Sequence, residues 1–148
     1  MAISVRTMHC GDATAVAELL PHLGYPGDAD QIRLRFEALS AWPDNSIFLA
    51  EADGRAVGLC QVHGVRLIAS DGYAEVAALV VHAKYQRRGI GKLLLDQADA
   101  WAAARGYARL RLRSGTHRED AHLFYEASGF VKSRASFAFE RVLSQNQC

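Results

Sequence analysis

The stretch that most constrains this chain runs from Tyr73 to Arg105, where an apolar run passes through a basic, glycine-containing segment into a helical repeat. Tyr73 to His82 is rich in Val and Leu on both alternating faces, which suits a strand inside a sheet rather than at its edge. From Gly89 onward the period changes. Ile90, Leu93, Leu94, Ala98, Trp101 and Ala102 fall on one helical face, and Gly106 suits the left-handed position just past the helix end. A strand followed directly by a long helix already demands a sheet with helices packed on it.

The connection between them, Lys84-Tyr-Gln-Arg-Arg-Gly-Ile-Gly-Lys92, carries the chemistry. Gly89 and Gly91 sit at the helix start, where each is disfavoured by about 1 kcal/mol relative to Ala. In return, glycine lets a ligand approach the backbone closely, and the first-turn N–H groups have no acceptor within the helix. Lys84, Arg87, Arg88 and Lys92 add four cations within nine residues, with no acid before Asp96. Cations oppose the positive end of the helix dipole, so they need an anion between them. Phosphate is the natural ligand. A P-loop would require Gly-x-x-x-x-Gly-Lys-Ser/Thr, and a dinucleotide fingerprint would require glycine at Leu94; neither pattern is present.

The rest of the chain predicts further elements. Ile3 to Met8 alternates as a half-buried strand. Asp12–Leu23 and Asp30–Leu39 carry helical stripes, the first closed by Gly24 and Pro26. Ile47–Glu51 and Ala56–Val62 flank Asp53-Gly54, a hairpin turn, and the second strand has room to run to Ala69. Arg109–Arg113 alternates as a strand. Asp120–Ser128 is helical and closes on Gly129-Phe130, with Phe130 folding back on Phe124. Ser136–Val142 alternates as a last strand, on which Phe137 and Phe139 suit either core burial or a homodimer interface. The expected architecture is one α+β domain over 1–148 with a polar tail from about 144. Its core is a mixed, mostly antiparallel central sheet flanked by helices in α/β/α layers.

Composition excludes several classes. With 148 residues, 50% of them hydrophobic, and a net charge of +1, the chain suits one folded domain rather than a disordered segment. Seventeen Lys and Arg against sixteen Asp and Glu leave no excess of cations for nucleic acid. No apolar run reaches the length of a membrane span, and Met1-Ala-Ile-Ser-Val-Arg6 lacks a signal peptide's regions, so the expected setting is cytoplasmic. Three widely spaced cysteines and no His-x-x-x-His pair predict neither disulfides nor a metal, with Cys60 a small core residue.

Gln86-Arg-Arg-Gly-Ile-Gly91, lying after an apolar strand and before an amphipathic helix, resembles the pyrophosphate loop of the GNAT superfamily of N-acetyltransferases. Leu79-Val-Val81 resembles the strand whose backbone pairs with pantetheine. Ala121-His-Leu-Phe-Tyr-Glu-Ala-Ser-Gly-Phe130 resembles the second family signature. The resemblance implies the GNAT fold, acetyl-CoA as co-substrate and a cofactor site of Leu79, Val80, Val81, Gln86, Arg87, Arg88, Gly89, Ile90, Gly91 and Lys92. It also implies an amine acceptor. Arg118 stands where many members carry Asn; it is suited to a phosphate rather than to an amide contact with pantetheine. That version of the segment is similar to bacterial small-molecule acetyltransferases, including those acting on aminoalkylphosphonates.

Two proton transfers accompany acetylation. Freeing a lysine-like amine, pKa about 10.4, costs roughly 4–5 kcal/mol at pH 7, and the departing thiolate gains from an acid. Tyr125 falls where the family places its thiolate-protonating tyrosine; read from periodicity alone it is a core aromatic with its hydroxyl at the surface. Glu75 interrupts the apolar run, and strict alternation puts it on one face with Ala77, Leu79 and Val81. It is a base acting directly or through water, or else a solvated acid at a strand start. Asp28, Asp30, Glu37 and Asp44, with Tyr25, are candidate attractors of a cationic amine. Three functions fit: transfer to a small amine, transfer to a protein amine, and a non-catalytic acyl-CoA-binding module.

Overall fold

The computed structural model describes residues 2–114 and 117–144. They fall into two compact units, 1–113 and 114–148.

The first unit holds a five-stranded open sheet in the order β1-β2-β3-β4-β5. Its strands are β1 (Ile3–Thr7), β2 (Asn45–Ala52), β3 (Arg55–Val65), β4 (Tyr73–Val81) and β5 (Leu110–Leu112). The first four are antiparallel neighbours, and β5 joins β4 in parallel. Asp53 and Gly54 both take positive φ, 52° and 78°, the twisted geometry that a two-residue hairpin requires. The parallel step needs a crossover, and α3 (Ile90–Ala104) supplies it. Between β1 and β2 lie α1 (Ala13–Leu19) and α2 (Ala29–Ser40). The first predicted helix is thus shorter than its stripe. Pro21 has no N–H to continue the α-helical ladder, and the stretch Leu20–Leu23 tightens into a 3-10 turn, closed by Gly24 at φ 91°. Asp28 caps α2 by accepting from the Gln31 N–H at 2.8 Å.

Both faces of the sheet are covered. Leu49, Leu59 and Val80 stand side by side on one face and pack with Val16, Leu19 and Ile32 from α1 and α2. Ala50 and Gly58 lie on the other, where α3 sits so closely that a Cβ on Gly58 would stand 3.0 Å from Leu94 and 3.2 Å from Ile90. The buried face of α3 is Ile90, Leu94, Leu95, Ala98 and Ala102. Leu93, placed on that face by the sequence reading, is 43% exposed.

Two polar devices hold this unit. The Tyr107 hydroxyl donates to Asp44, whose backbone oxygen accepts from the Gly64 N–H at 2.9 Å. A Cβ on Gly64 would collide with both the Tyr107 hydroxyl and the Asp44 carboxylate. Gly64→Ala is therefore expected to cost about 2–4 kcal/mol through overpacking and a broken hydrogen bond, seen as a lower urea midpoint at unchanged slope. Asp12 is the buried charged side chain among the described residues, and Arg6 donates to both of its oxygens at 2.8 Å. That hydrogen bonding holds the Asp12 carboxyl below the usual carboxylate range, so its stabilisation is complete above about pH 4 and fades as pH falls through the lowered value. Asp12→Asn should lower stability by about 2–3 kcal/mol at pH 7, and the deficit against wild type should shrink in thermal melts taken from pH 5 toward pH 2.

The second unit contains α4 (Glu119–Ala127), which ends on Gly129 at φ 94°. The Phe130 N–H returns to the Tyr125 carbonyl at 3.0 Å, and its ring meets the Tyr125 ring edge-on at 6.1 Å, not Phe124 as the sequence reading expected. The expected strand Ser136–Val142 is absent: residues 130–144 carry no helix or strand, with Phe137 90% and Phe139 95% exposed. Alternation marks a segment fit to pair, but a strand exists only where an edge pairs with it.

Candidate active site

The site in the first unit begins with an irregularity of β4. Register runs Val81, Val80, Leu79 and Ala78 against Gly58, Leu59, Cys60 and Gln61, then jumps so that Val76 meets Val62. Ala77 is left without a partner on β3, a bulge. The bulge reverses the side-chain alternation, so Glu75, opposite His63, shares a face with Ala78 and Val80. Strict alternation had put it with Leu79 and Val81, and the extra residue overturns that. On its other side β4 pairs with β5 only at Ala74, Glu75 and Val76. Among the described residues, 78–81 thus pair with β3 alone and, with the unpaired Ala77, present an open edge, where an extended ligand can add hydrogen bonds as a strand would.

The loop beyond β4 turns sharply. Gln86 donates from Nε2 to the Val81 carbonyl at 3.4 Å. Arg87 (φ 65°) and Gly89 (φ 79°) both adopt left-handed backbone, the alternation that gathers successive N–H groups into an anion-binding concavity. Gly89 is the N-cap of α3 and offers no side chain to the first turn, and nothing lies within 4 Å of where its Cβ would stand. The amides of Ile90, Gly91 and Lys92, in the first turn, have no acceptor within the helix. Arg88 lies over the Tyr85 ring at 5.2 Å, while Lys92 reaches Asp96 at 3.2 Å. Ile90, 1% exposed, can contribute only backbone, and the same holds for Val80 at 5%. Residue type alone gives no sign of the left-handed Arg87, because side chains rarely adopt it.

At the head of the loop, the His82 Nδ1 accepts from the Lys84 N–H at 3.1 Å, and its ring lies 4.4 Å from that of His22. Desolvation first, then the neighbouring His22, Lys84 and Arg55 charges, lower the His82 pKa, so the ring is neutral at pH 7.

Glu75 is held from two sides. Arg113 donates from Nε at 3.2 Å, and the His63 Nε2 stands 3.4 Å away. The hydrogen bond from Arg113 to Glu75, followed by one to Tyr73, raises the arginine pKa above its ordinary value. Trp42 tilts against His63 at 5.4 Å, and Arg111 covers the Tyr73 ring at 4.3 Å. The sequence reading missed His63 and Arg113. The partner of a strand residue depends on register, which no local pattern near Glu75 encodes. Burial pushes the Cys60 thiol up to about 12, which removes it as a nucleophile near neutral pH.

Three of the four acids offered as amine attractors have other partners. Asp44 faces Tyr107, Arg66 and Arg105; Asp28 caps α2; Asp30 pairs with Arg33. Tyr25 is 68% exposed. In the second unit Arg118 is the N-cap of α4 and makes no side-chain cap, and the half-buried Tyr125 ring is braced by Phe124 at 5.5 Å and by Phe130. Among the described residues no helix is long and apolar enough to cross a membrane.

A glycine-capped helix start, a preceding left-handed loop and a parted pair of parallel strands together describe one class of protein, and the comparisons agree. The chain belongs to the acetyltransferase (GNAT) family, whose family model matches residues 16–130. It is 29% identical over 147 residues to an aminoglycoside N(6')-acetyltransferase type 1 of Stenotrophomonas maltophilia, covering 96% of this chain and 95% of that one. It is 46% identical over 57 residues to the uncharacterized N-acetyltransferase YhdJ of Bacillus subtilis, covering 38% of this chain and 40% of YhdJ. Two of the curated relatives are thus spanned over only 40% and 51% of their length. The solved structure of AAC(6')-Iy in complex with the bisubstrate analogue CoA-S-monomethyl-acetylneamine shares the fold, with a TM-score of 0.83 at 19% identity over 96% of this chain and all of that one.

Proposed function

We propose that this protein transfers the acetyl group of acetyl-CoA to a primary amine of a small molecule, by direct attack within a ternary complex. The observation that carries this reading is the uncapped first turn of α3 standing directly after the open edge of β4. The amides of Gly91 and Lys92, with Arg87 and Arg88, suit a pyrophosphate, and the backbone of Leu79, Val80 and Val81 suits the amides of pantetheine. Arg118 is assigned to a phosphate of the same co-substrate.

Glu75 lies on that strand and takes the proton from the amine, directly or through one water; His63 and Arg113 fix its carboxylate. Tyr125 returns a proton to the departing thiolate. The sequestered Cys60 supports direct attack over an acyl-enzyme on that residue. The aminoglycoside acetyltransferase relative, matched along almost its whole length, supports a small amine as acceptor.

The test is release of free CoA from acetyl-CoA across polyamines, aminoglycosides, aminoalkylphosphonates, amino acids and peptides. Turnover with at least one small amine is expected. Turnover confined to peptides would assign a protein acceptor instead, and acetyl-CoA binding without turnover on any amine would leave an acyl-CoA-binding module.

A further inference from the structure

The row of side chains that carries Glu75 is more basic than an amine alone requires. Asn45, His63, Glu75 and Arg111 stand opposite one another on β2, β3, β4 and β5, so they share one face of the sheet. Alternation adds Tyr73 from β4 and Arg113 just past β5 to that face, and Arg113 reaches Glu75 at 3.2 Å. Trp42 leans on His63 nearer the other end of the row.

One cation in this row has an acid and one does not. Arg113 pairs with Glu75 and also bonds Tyr73. Arg111 is half-buried over the Tyr73 ring at 4.3 Å, and among the described residues no carboxylate pairs with it. Glu75, the acid directly opposite, gives Oε1 to Arg113 and turns Oε2 to His63. Asp44 is no substitute, because it faces Tyr107, Arg66 and Arg105. The Tyr73 ring steadies the Arg111 guanidinium but takes none of its in-plane N–H donors. That planar fork matches the oxygens of a carboxylate or a phosphonate. With the exposed Arg109 next along, the end of the sheet around Glu75 carries excess positive charge, which attracts an anion and repels a polycation.

We infer that the acceptor is a primary amine that also carries an anion, a carboxylate or a phosphonate, with Arg111 holding the anion while Glu75 faces the amine. The amine half of this assignment rests on the transferase reading above; the anion half rests on Arg111 itself. Neighbouring strands lie about 4.8 Å apart, a separation that an amine and an anion with about two or three carbons between them can bridge. A polyamine or an aminoglycoside instead sets further ammonium groups against Arg111 and Arg113.

Acetylation of β-alanine, aminoethylphosphonate and propylamine, three amines of similar basicity, tests this by turnover, with spermidine as the polycation. Calorimetric titration of the two anionic amines into the protein with CoA present tests binding by itself. The expected result is a kcat/KM for at least one anionic amine about tenfold or more above that for propylamine, with the difference in KM. Whichever of carboxylate and phosphonate is preferred identifies the anion. Arg111→Gln should reduce the preference about tenfold or more, and Arg111→Glu should turn it toward spermidine. Should Arg111→Gln fail to fold, Arg111→Lys keeps the charge without the fork and should lose part of the preference. Propylamine or spermidine turned over as well as both anionic amines would overturn the anion site and leave the transferase reading intact. A preference that survives Arg111→Gln would overturn the assignment to Arg111. Binding of an anionic amine that weakens about tenfold in Arg111→Gln, with no amine turned over, would support the anion site and overturn the transferase reading. Absence of both binding and turnover would overturn both.

Discussion

Tyr125→Phe is expected to lower kcat for acetyl transfer about 10²- to 10³-fold while the KM for acetyl-CoA stays within about twofold. The reasoning begins with what the substitution leaves alone. The Tyr125 ring is held edge-on by Phe130 and against Phe124, and phenylalanine retains both contacts. Only the hydroxyl is removed, so the circular dichroism spectrum should hardly change. A group that protonates the leaving thiolate acts in the transition state, where charge has built up on sulfur, and contributes little to ground-state binding. An acetyl donor with a more acidic thiol needs that proton less and should recover part of the lost rate. Unchanged kcat, or a loss confined to KM, would remove Tyr125 from the chemistry and return it to the role of a packed aromatic.

Glu75→Gln should lower kcat/KM about 10²-fold at pH 7 and leave a rate that climbs steeply with pH toward the pKa of the amine. The same variant should converge on wild type as pH rises toward 10, because the amine then arrives already deprotonated and the roughly 4–5 kcal/mol needed to free it at neutrality is no longer required. Glutamine keeps the shape of the side chain opposite His63, though it surrenders the charge paired with Arg113. A full profile from pH 6 to 10 therefore separates a lost base from a disturbed strand: structural damage depresses the rate at every pH, whereas a lost base depresses it mainly at the acid end. Superimposable profiles for the two proteins would assign proton removal to water alone.

The legible parts of the fold were those written in local repeats. Asp53-Gly54 predicts the β2–β3 hairpin because two left-handed residues in succession suit almost no other sequence. The α3 stripe and its Gly106 terminus follow from a 3.6-residue period and a conformation that glycine adopts without strain. The loop from Gln86 to Lys92 is legible for a related reason: glycines and cations at a helix start are costly unless something anionic binds there.

Three features were not legible. The bulge at Ala77 moves Glu75 to the other face of β4, yet alanine carries no mark of a bulge; it arises from how β3 and β4 settle against each other. His63 and Arg113 reach Glu75 from positions 12 and 38 residues away along the chain, distances that only register and the β4–β5 pairing close. Ser136–Val142 has the periodicity of a strand and is not one in the isolated chain.

By itself, then, the amino-acid sequence determined the order of elements from β1 to α4, the glycine-containing cationic turn before α3 and the family, because each depends on residues within a few positions of one another. The tertiary structure alone decided which face Glu75 occupies, which groups hold it and whether the last segment pairs. Those outcomes depend on strand register and on the presence of a free edge, and both are set by contacts between residues far apart in the chain.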